Sequence, residues 1–156
     1  AQRLVDQGLS AAEIAKTLER ERQNIRLVAL VDTLEYLKKG GRISKTVALA
    51  GSLLSIKPVL TIEDGEIKML GKARGSRQAN NLLVKQIREA GGVDFTKPVL
   101  LGYTGLSDVL LKKYVADSAC LWEGKTEALP IKTIGSTVGT HVGPGAVAAA
   151  FFAKSE

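Results

Sequence analysis

An α/β fold, a mixed β-sheet packed with helices, is the class predicted by this 156-residue sequence, on three observations. Ile25 to Val31 is an apolar, β-branched run suited to a buried strand. Asp64-Gly65, the pair favoured in a type I′ turn, separates the short stretches Pro58 to Glu63 and Glu66 to Leu70 and so predicts a β-hairpin. The apolar Lys97 to Tyr103 is followed by a helical pattern from Ser107, so strand and helix alternate along the middle of the chain.

Taken in order, Ala1 to Gln7 reads as the last turns of a helix stopped by Gly8. Ser10-Ala-Ala-Glu13 is a capping box opening a second helix, with Ile14, Ala15 and Leu18 on one face, that dissolves into the charged stretch Glu19 to Gln23. Residue 1 is not methionine and the one methionine is Met69. We therefore expect residues 1–25 to be the helical remnant of a truncated N-terminal domain or linker, and residues 26–156 to be the α/β domain. After the Ile25 strand, Asp32-Thr-Leu-Glu35 reads as a second capping box for a helix from Thr33 to Lys39, with Lys38 and Lys39 complementing its C-terminus and Gly40 as its left-handed stop. Thr46 to Leu54 predicts a helix buried on most sides. Beyond the hairpin, Lys72, Arg74 and Arg77 form a basic cluster leading into a helix capped by Ser76, with Ala79, Leu82, Leu83 and Ile87 inward and Gly91-Gly92 as its end. Ser107-Asp108 caps a helix carrying Leu110, Leu111, Tyr114 and Val115. Cys120 and Trp122 read as packing residues, Pro130 to Ile134 as a strand, and Ala146 to Phe152 as a final strand.

Composition narrows the function. Hydrophobic residues at 45% and charged ones at 24% give a globular balance rather than a disordered one. Apolar runs stay far short of the ~20 residues that span a bilayer. Cys120 is the sole cysteine; it excludes an internal disulfide and has no metal-ligand spacing around it, pointing to a reducing, cytoplasmic setting without a metal site. The net charge of +6 suits an anionic partner, but no aromatic–basic interleaving or zinc pattern favours nucleic acid.

Two stretches carry chemistry. Gly135 to Gly145 holds His141, the only histidine, together with the hydroxyl-bearing Thr137 and Thr140 and four glycines. It reads either as a shaped ligand loop or as a turn between strands with an incidental histidine. Gly40-Gly41-Arg42 places a guanidinium at a glycine corner, where its planar fork suits a carboxylate or phosphate, or where it is simply a surface arginine.

Leu34-Glu-Tyr-Leu-Lys-Lys-Gly-Gly-Arg-Ile-Ser44, Gly51-Ser-Leu-Leu-Ser-Ile-Lys-Pro58, the Asp64-Gly65 hairpin, the Arg74 segment and Gly139-Thr-His-Val-Gly-Pro-Gly145 together resemble the DegV family, in order and over nearly the whole chain. The resemblance implies the C-terminal domain of a two-domain DegV-like fold. It also implies one long-chain fatty acid held between the domains with its tail in an apolar tunnel, and a carrier role without catalysis, in which the carboxylate is offered to a fatty acid kinase catalytic subunit for acyl phosphate formation. Carried over by position, Arg42 and His141 belong to the carboxylate-binding site. Thr140 adds a donor beside them, and further donors are expected from the N-terminal domain. Tunnel-wall candidates are Leu53, Leu54, Ile56 and Val59, each equally readable as core. Lys72, Arg74 and Arg77 are a candidate docking patch for an acidic partner. No cofactor or catalytic residue is expected. The alternatives are a stand-alone acyl- or phosphoryl-transfer enzyme using His141, against which stand the missing nucleophile elbow and P-loop, and polyanion binding through the basic cluster.

Overall fold

The chain's structure, a computed structural model, describes residues 1–43 and 56–154. The expected helix from Thr46 to Leu54, and with it Leu53 and Leu54, lies outside the described residues. Six strands form one sheet: β1 (Ile25–Leu30), β2 (Ile56–Glu63), β3 (Glu66–Arg74), β4 (Leu100–Tyr103), β5 (Ile131–Thr133) and β6 (Val147–Phe152), in the order β3-β2-β1-β6-β4-β5. The sheet is mixed, as the sequence predicts: β1 runs antiparallel to β2 and β6, β6 antiparallel to β4, and β4 parallel to β5. Both central turn residues of the β2–β3 hairpin take positive φ, 52° at Asp64 and 80° at Gly65, which is what a type I′ turn requires.

The helices are α1 (Gln2–Asp6), α2 (Ala11–Glu21), α3 (Glu35–Lys39), α4 (Gly75–Glu89), α5 (Val109–Asp117) and α6 (Ser136–Val142). Helices α4 and α5 cover one face of the sheet. Ala79, Leu83 and Ile87 of α4 and Leu111, Tyr114 and Val115 of α5 join Val28, Leu101, Val147, Ala149 and Phe151 in one core. Trp122 packs in the same cluster. A smaller core of Val31, Leu34, Leu37, Leu60 and Ala146, with Val142 against it, ties α3 and α6 to the opposite face. The Ser10 capping box forms, yet α1 and α2 bury no residue completely. They touch the domain through an ion pair between Glu21 and Lys97 and a long hydrogen bond from Arg3 to the Thr96 carbonyl. Among the described residues no helix is long and apolar enough to cross a membrane.

Six local expectations need correction, each for a physical reason. Helix α2 runs on to Glu21 instead of dissolving at Glu19, with Glu19 and Arg22 paired across a turn. Asp32 does not cap α3, because Lys57 holds its carboxylate; the Thr33 hydroxyl instead accepts from the Glu35 N–H at 3.2 Å. The left-handed stop of α3 is Gly41, with φ of 66°, and not Gly40. Helix α4 starts at Gly75, whose φ is 72°, and the Gln78 side chain takes the Arg74 N–H, so Ser76 is not its cap. Strand β4 begins only at Leu100, after Pro98, which lacks the N–H a ladder needs. Cys120 is exposed, accepting a hydrogen bond from Arg88, and does not pack.

Tyr114 marks how dry the core is. Burial pushes its phenol up from 10.0 to about 12, with Asp117 and Asp32 adding to the shift. The folded chain thus keeps a proton that the unfolded chain releases near pH 10. This contribution to stability is intact below pH 10 and is lost as pH rises toward 12. Denaturant titrations across that window should show wild-type stability falling more steeply than that of Tyr114→Phe; parallel curves would mean that the phenol is not held in its neutral form.

Candidate functional site

The two motif-bearing stretches, about a hundred positions apart, meet through glycine. Gly40 has ordinary helical angles, φ −76° and ψ −2°, so backbone geometry does not require a glycine there. Space does: a Cβ on Gly40 would lie 2.3 Å from Nδ1 of His141. Conversely, a Cβ on Gly143 would lie 2.3 Å from Cδ2 of Tyr36, and Gly143 also has a φ of 79°. Each helix therefore receives the other's ring at a position where it has no side chain. The chain leaves α3 through Gly41, with the Arg42 N–H bonded to the Leu37 carbonyl at 2.9 Å, so Arg42 emerges beside the imidazole contact.

The glycine-rich stretch is a helix over most of its length, neither the shaped loop nor the simple turn expected from its composition. Its β-branched and glycine residues disfavour helix intrinsically; Val142 packs against the smaller core, while Val138, one turn earlier, lines the cleft and stays exposed. Left-handed angles appear only beyond the helix, at Gly143 and Gly145.

The expected head-group residues fall into different settings. His141 is half-buried, and its Nδ1 is buried with no hydrogen-bond partner among the described residues. Arg42 is exposed and donates through Nη1 to the Gly40 carbonyl at 3.3 Å. Thr140 is exposed, with its hydroxyl donated to the Ser136 carbonyl at 2.8 Å. Sequence reasoning missed Thr104, which is buried just beyond β4. Its hydroxyl donates to the Gly143 carbonyl at 2.6 Å and accepts from the Ala146 N–H at 2.9 Å. Nothing near Thr104 in sequence announces this, because both of its partners lie about forty residues away.

Beside α6 the face of the sheet that is left open among the described residues forms an apolar cleft of about 390 Å³. Its floor is made of small residues in register: Ala148 of β6 lies between Ala29 of β1 and Gly102 of β4. Leu27, Leu60, Ile62, Val138 and Val142 form walls. Of the tunnel-wall candidates, Val59 is fully buried in the core that α4 covers, and Ile56 is half-buried at the start of β2; neither lines this cleft. The alternation of small residues in Ala146 to Ala150 was the available signal for the cleft floor. Lys72, Arg74 and Arg77 are all exposed, along β3 and the start of α4. Among the described residues no group of three or more His, Cys, Asp or Glu side chains is arranged to hold a metal.

A family model described as "Uncharacterised protein, DegV family" matches residues 1–154. A DegV domain-containing protein of Caldanaerobacter subterraneus subsp. tengcongensis is 33% identical over 155 residues, covering 99% of this chain and 54% of that protein. Among solved structures, the fatty acid binding DegV family protein of Streptococcus agalactiae is 28% identical with a TM-score of 0.73, covering 99% of this chain and 53% of its own. The Streptococcus pneumoniae Fatty Acid Kinase (Fak) B3 protein, loaded with linoleic acid, has a TM-score of 0.78 at 22% identity, covering 97% and 53%, and so shares the fold. The chain spans about half the length of the curated relatives it matches.

The reciprocal glycine packing is directly testable. Gly40→Ala should displace the imidazole, seen as a shift of the ring resonances of the sole histidine, and the change in stability that it causes should disappear in a His141→Ala background. Gly143→Ala, which adds left-handed strain to the Tyr36 clash, should destabilise by about 1–3 kcal/mol in denaturant melts. Unmoved histidine resonances in Gly40→Ala would contradict the packing.

Proposed function

Because the chain belongs to the DegV family, we propose that the protein of which it forms the C-terminal domain, residues 26–156, with residues 1–25 from the preceding domain or linker, binds one long-chain fatty acid and acts as its carrier. The tail occupies the apolar cleft, and the carboxylate lies at the end marked by His141, Arg42 and Thr140. The carrier has no catalysis of its own and no cofactor. It offers the carboxylate to the catalytic subunit of a fatty acid kinase for conversion to an acyl phosphate, in the cytoplasm. Lys72, Arg74 and Arg77 give an acidic partner a cationic surface to dock on.

The observation that carries this reading is the cleft itself: an apolar trough on a sheet face left open among the described residues, with the half-buried His141 on the helix whose Val138 and Val142 form one wall. An apolar surface of this kind is costly in water and gains from a hydrocarbon tail. About 15 methylenes at about 0.8 kcal/mol each supply roughly 12 kcal/mol gross, before ordering costs. The head group adds less, roughly 1.5–3 kcal/mol for a charge-assisted hydrogen bond, but sets orientation, because an unpaired buried carboxylate is prohibitive. The ligand class agrees with the fatty acid binding named for the Streptococcus agalactiae relative.

Two measurements on the complete protein test this. Mass spectrometry of the purified protein should find an acyl chain bound one to one, and Ala148→Phe, which fills the cleft floor, should remove it. Arg42→Ala and His141→Ala should each weaken fatty acid binding by about 10- to 100-fold. A wild-type protein carrying no acyl chain, and taking none up when offered, would end the lipid reading. Acyl phosphate formed from ATP and the loaded protein only when a fatty acid kinase catalytic subunit is added would support the carrier role; turnover by the protein alone would make it an enzyme.

A further inference from the structure

Building on the fatty-acid reading of this site, we propose that Thr104 is the positioning residue of the head-group end, and that its buried hydroxyl sets where His141 meets the ligand. Thr104 is 5% exposed, and its three polar groups make four hydrogen bonds to one short stretch. The hydroxyl donates to the Gly143 carbonyl at 2.6 Å and accepts from the Ala146 N–H at 2.9 Å. The backbone N–H donates to the Ala146 carbonyl at 3.0 Å, and the carbonyl accepts from the Gly145 N–H at 3.3 Å. The backbone bonds are available to any residue. The hydroxyl pair is available only to serine or threonine here, since one small group must donate and accept at once in a buried place.

The mechanical consequence runs in one direction. Strand β4 is fixed on both sides, antiparallel to β6 and parallel to β5. Thr104 directly follows its last residue, and Gly143 directly follows α6, with its N–H bonded to the Gly139 carbonyl at 2.8 Å. The hydroxyl thus pins the C-terminal turn of α6 to a rigid strand, and that turn carries His141. Tyr36, lying on Gly143, and Gly40, under the imidazole, complete the seat. Loss of the pin leaves a buried carbonyl and a buried N–H unpaired, which favours local rearrangement of the turn. A displacement of about 1 Å at a positioned donor is enough to weaken its interaction with a ligand.

The test uses the complete protein, with oleate displacing a fluorescent fatty-acid probe, alongside 1H–15N spectra in which the His141 ring is assigned by its loss in His141→Ala. Thr104→Val keeps the shape and removes both hydroxyl bonds; it should weaken oleate binding about tenfold and shift the His141 ring resonances. Thr104→Ser should restore both to near wild type. Ile87→Ala, a cavity in the core far from the site, should lower stability while leaving affinity and resonances unchanged, which separates positioning from general destabilisation. If Thr104→Val does not fold, Thr104→Ala is measured with the same expectation. Wild-type affinity together with unmoved histidine resonances in the folded variant overturns the proposal, as does Thr104→Ser behaving like the valine variant. If the wild type takes up no oleate, the fatty-acid reading fails separately, and the position of His141 in the spectra still decides whether Thr104 sets it.

Discussion

Two helices, α3 and α6, approach so closely that neither could carry a side chain where the other's ring lands. His141 rests on Gly40 and Tyr36 rests on Gly143, and this exchange is the constraint on which the candidate site depends. It brings together two stretches that the chain separates by the whole β2-to-β5 segment. It costs backbone entropy at two glycines, and Gly143 must also adopt a conformation that other residues resist. What it gives in return is an imidazole with one nitrogen buried against backbone, beside an arginine leaving the same corner.

The sheet divides the remaining work. In β6, Val147, Ala149 and Phe151 point into the core under α4 and α5, while Ala148 and Ala150, with Ala146 just before the strand, line the cleft. One central strand therefore anchors the fold with its large side chains and shapes the cleft with its small ones, as the two-residue period of a strand requires. Phe151 is fully buried, so the strand that floors the cleft is held by one of the best-packed residues of the domain. Left open among the described residues, a trough floored by alanine and glycine is a surface that an extended hydrocarbon can fill.

Much of this was legible in the sequence, and the exceptions have causes. The β2–β3 hairpin was written in Asp64-Gly65, the first capping box in Ser10 and Glu13, and the buried faces of α4 and α5 in their helical spacing. The second capping box failed because an acidic side chain does whatever its nearest cation dictates, and Lys57 is 25 residues away from Asp32. The glycine stretch misled because composition describes local preference, while the contacts that hold this helix, Val142 on the smaller core and His141 on Gly40, come from far along the chain. The expectation that Arg42 and His141 belong to the site came from a family pattern. That His141 would sit on Gly40 could not be read, since a close approach across a hundred residues leaves no local trace beyond the glycine itself. Thr104 left none at all.

On the proposed reading, donor arithmetic explains why the head-group end draws on more than this stretch of chain. An ionised carboxylate offers about four acceptor sites, and a buried one must have them met. The Thr140 hydroxyl already gives its single proton to Ser136, and one Arg42 N–H goes to the Gly40 carbonyl. Nδ1 of His141 faces the backbone of Gly40 and has no hydrogen-bond partner among the described residues, so the imidazole has at most Nε2 to give a ligand. His141 and the remaining guanidinium N–H groups thus orient a carboxylate without enclosing it. The relatives are about twice this length, and the carboxylate's unmet acceptor sites are the chemical reason for the other half of such a protein to contribute hydroxyl or amide donors at this end of the cleft.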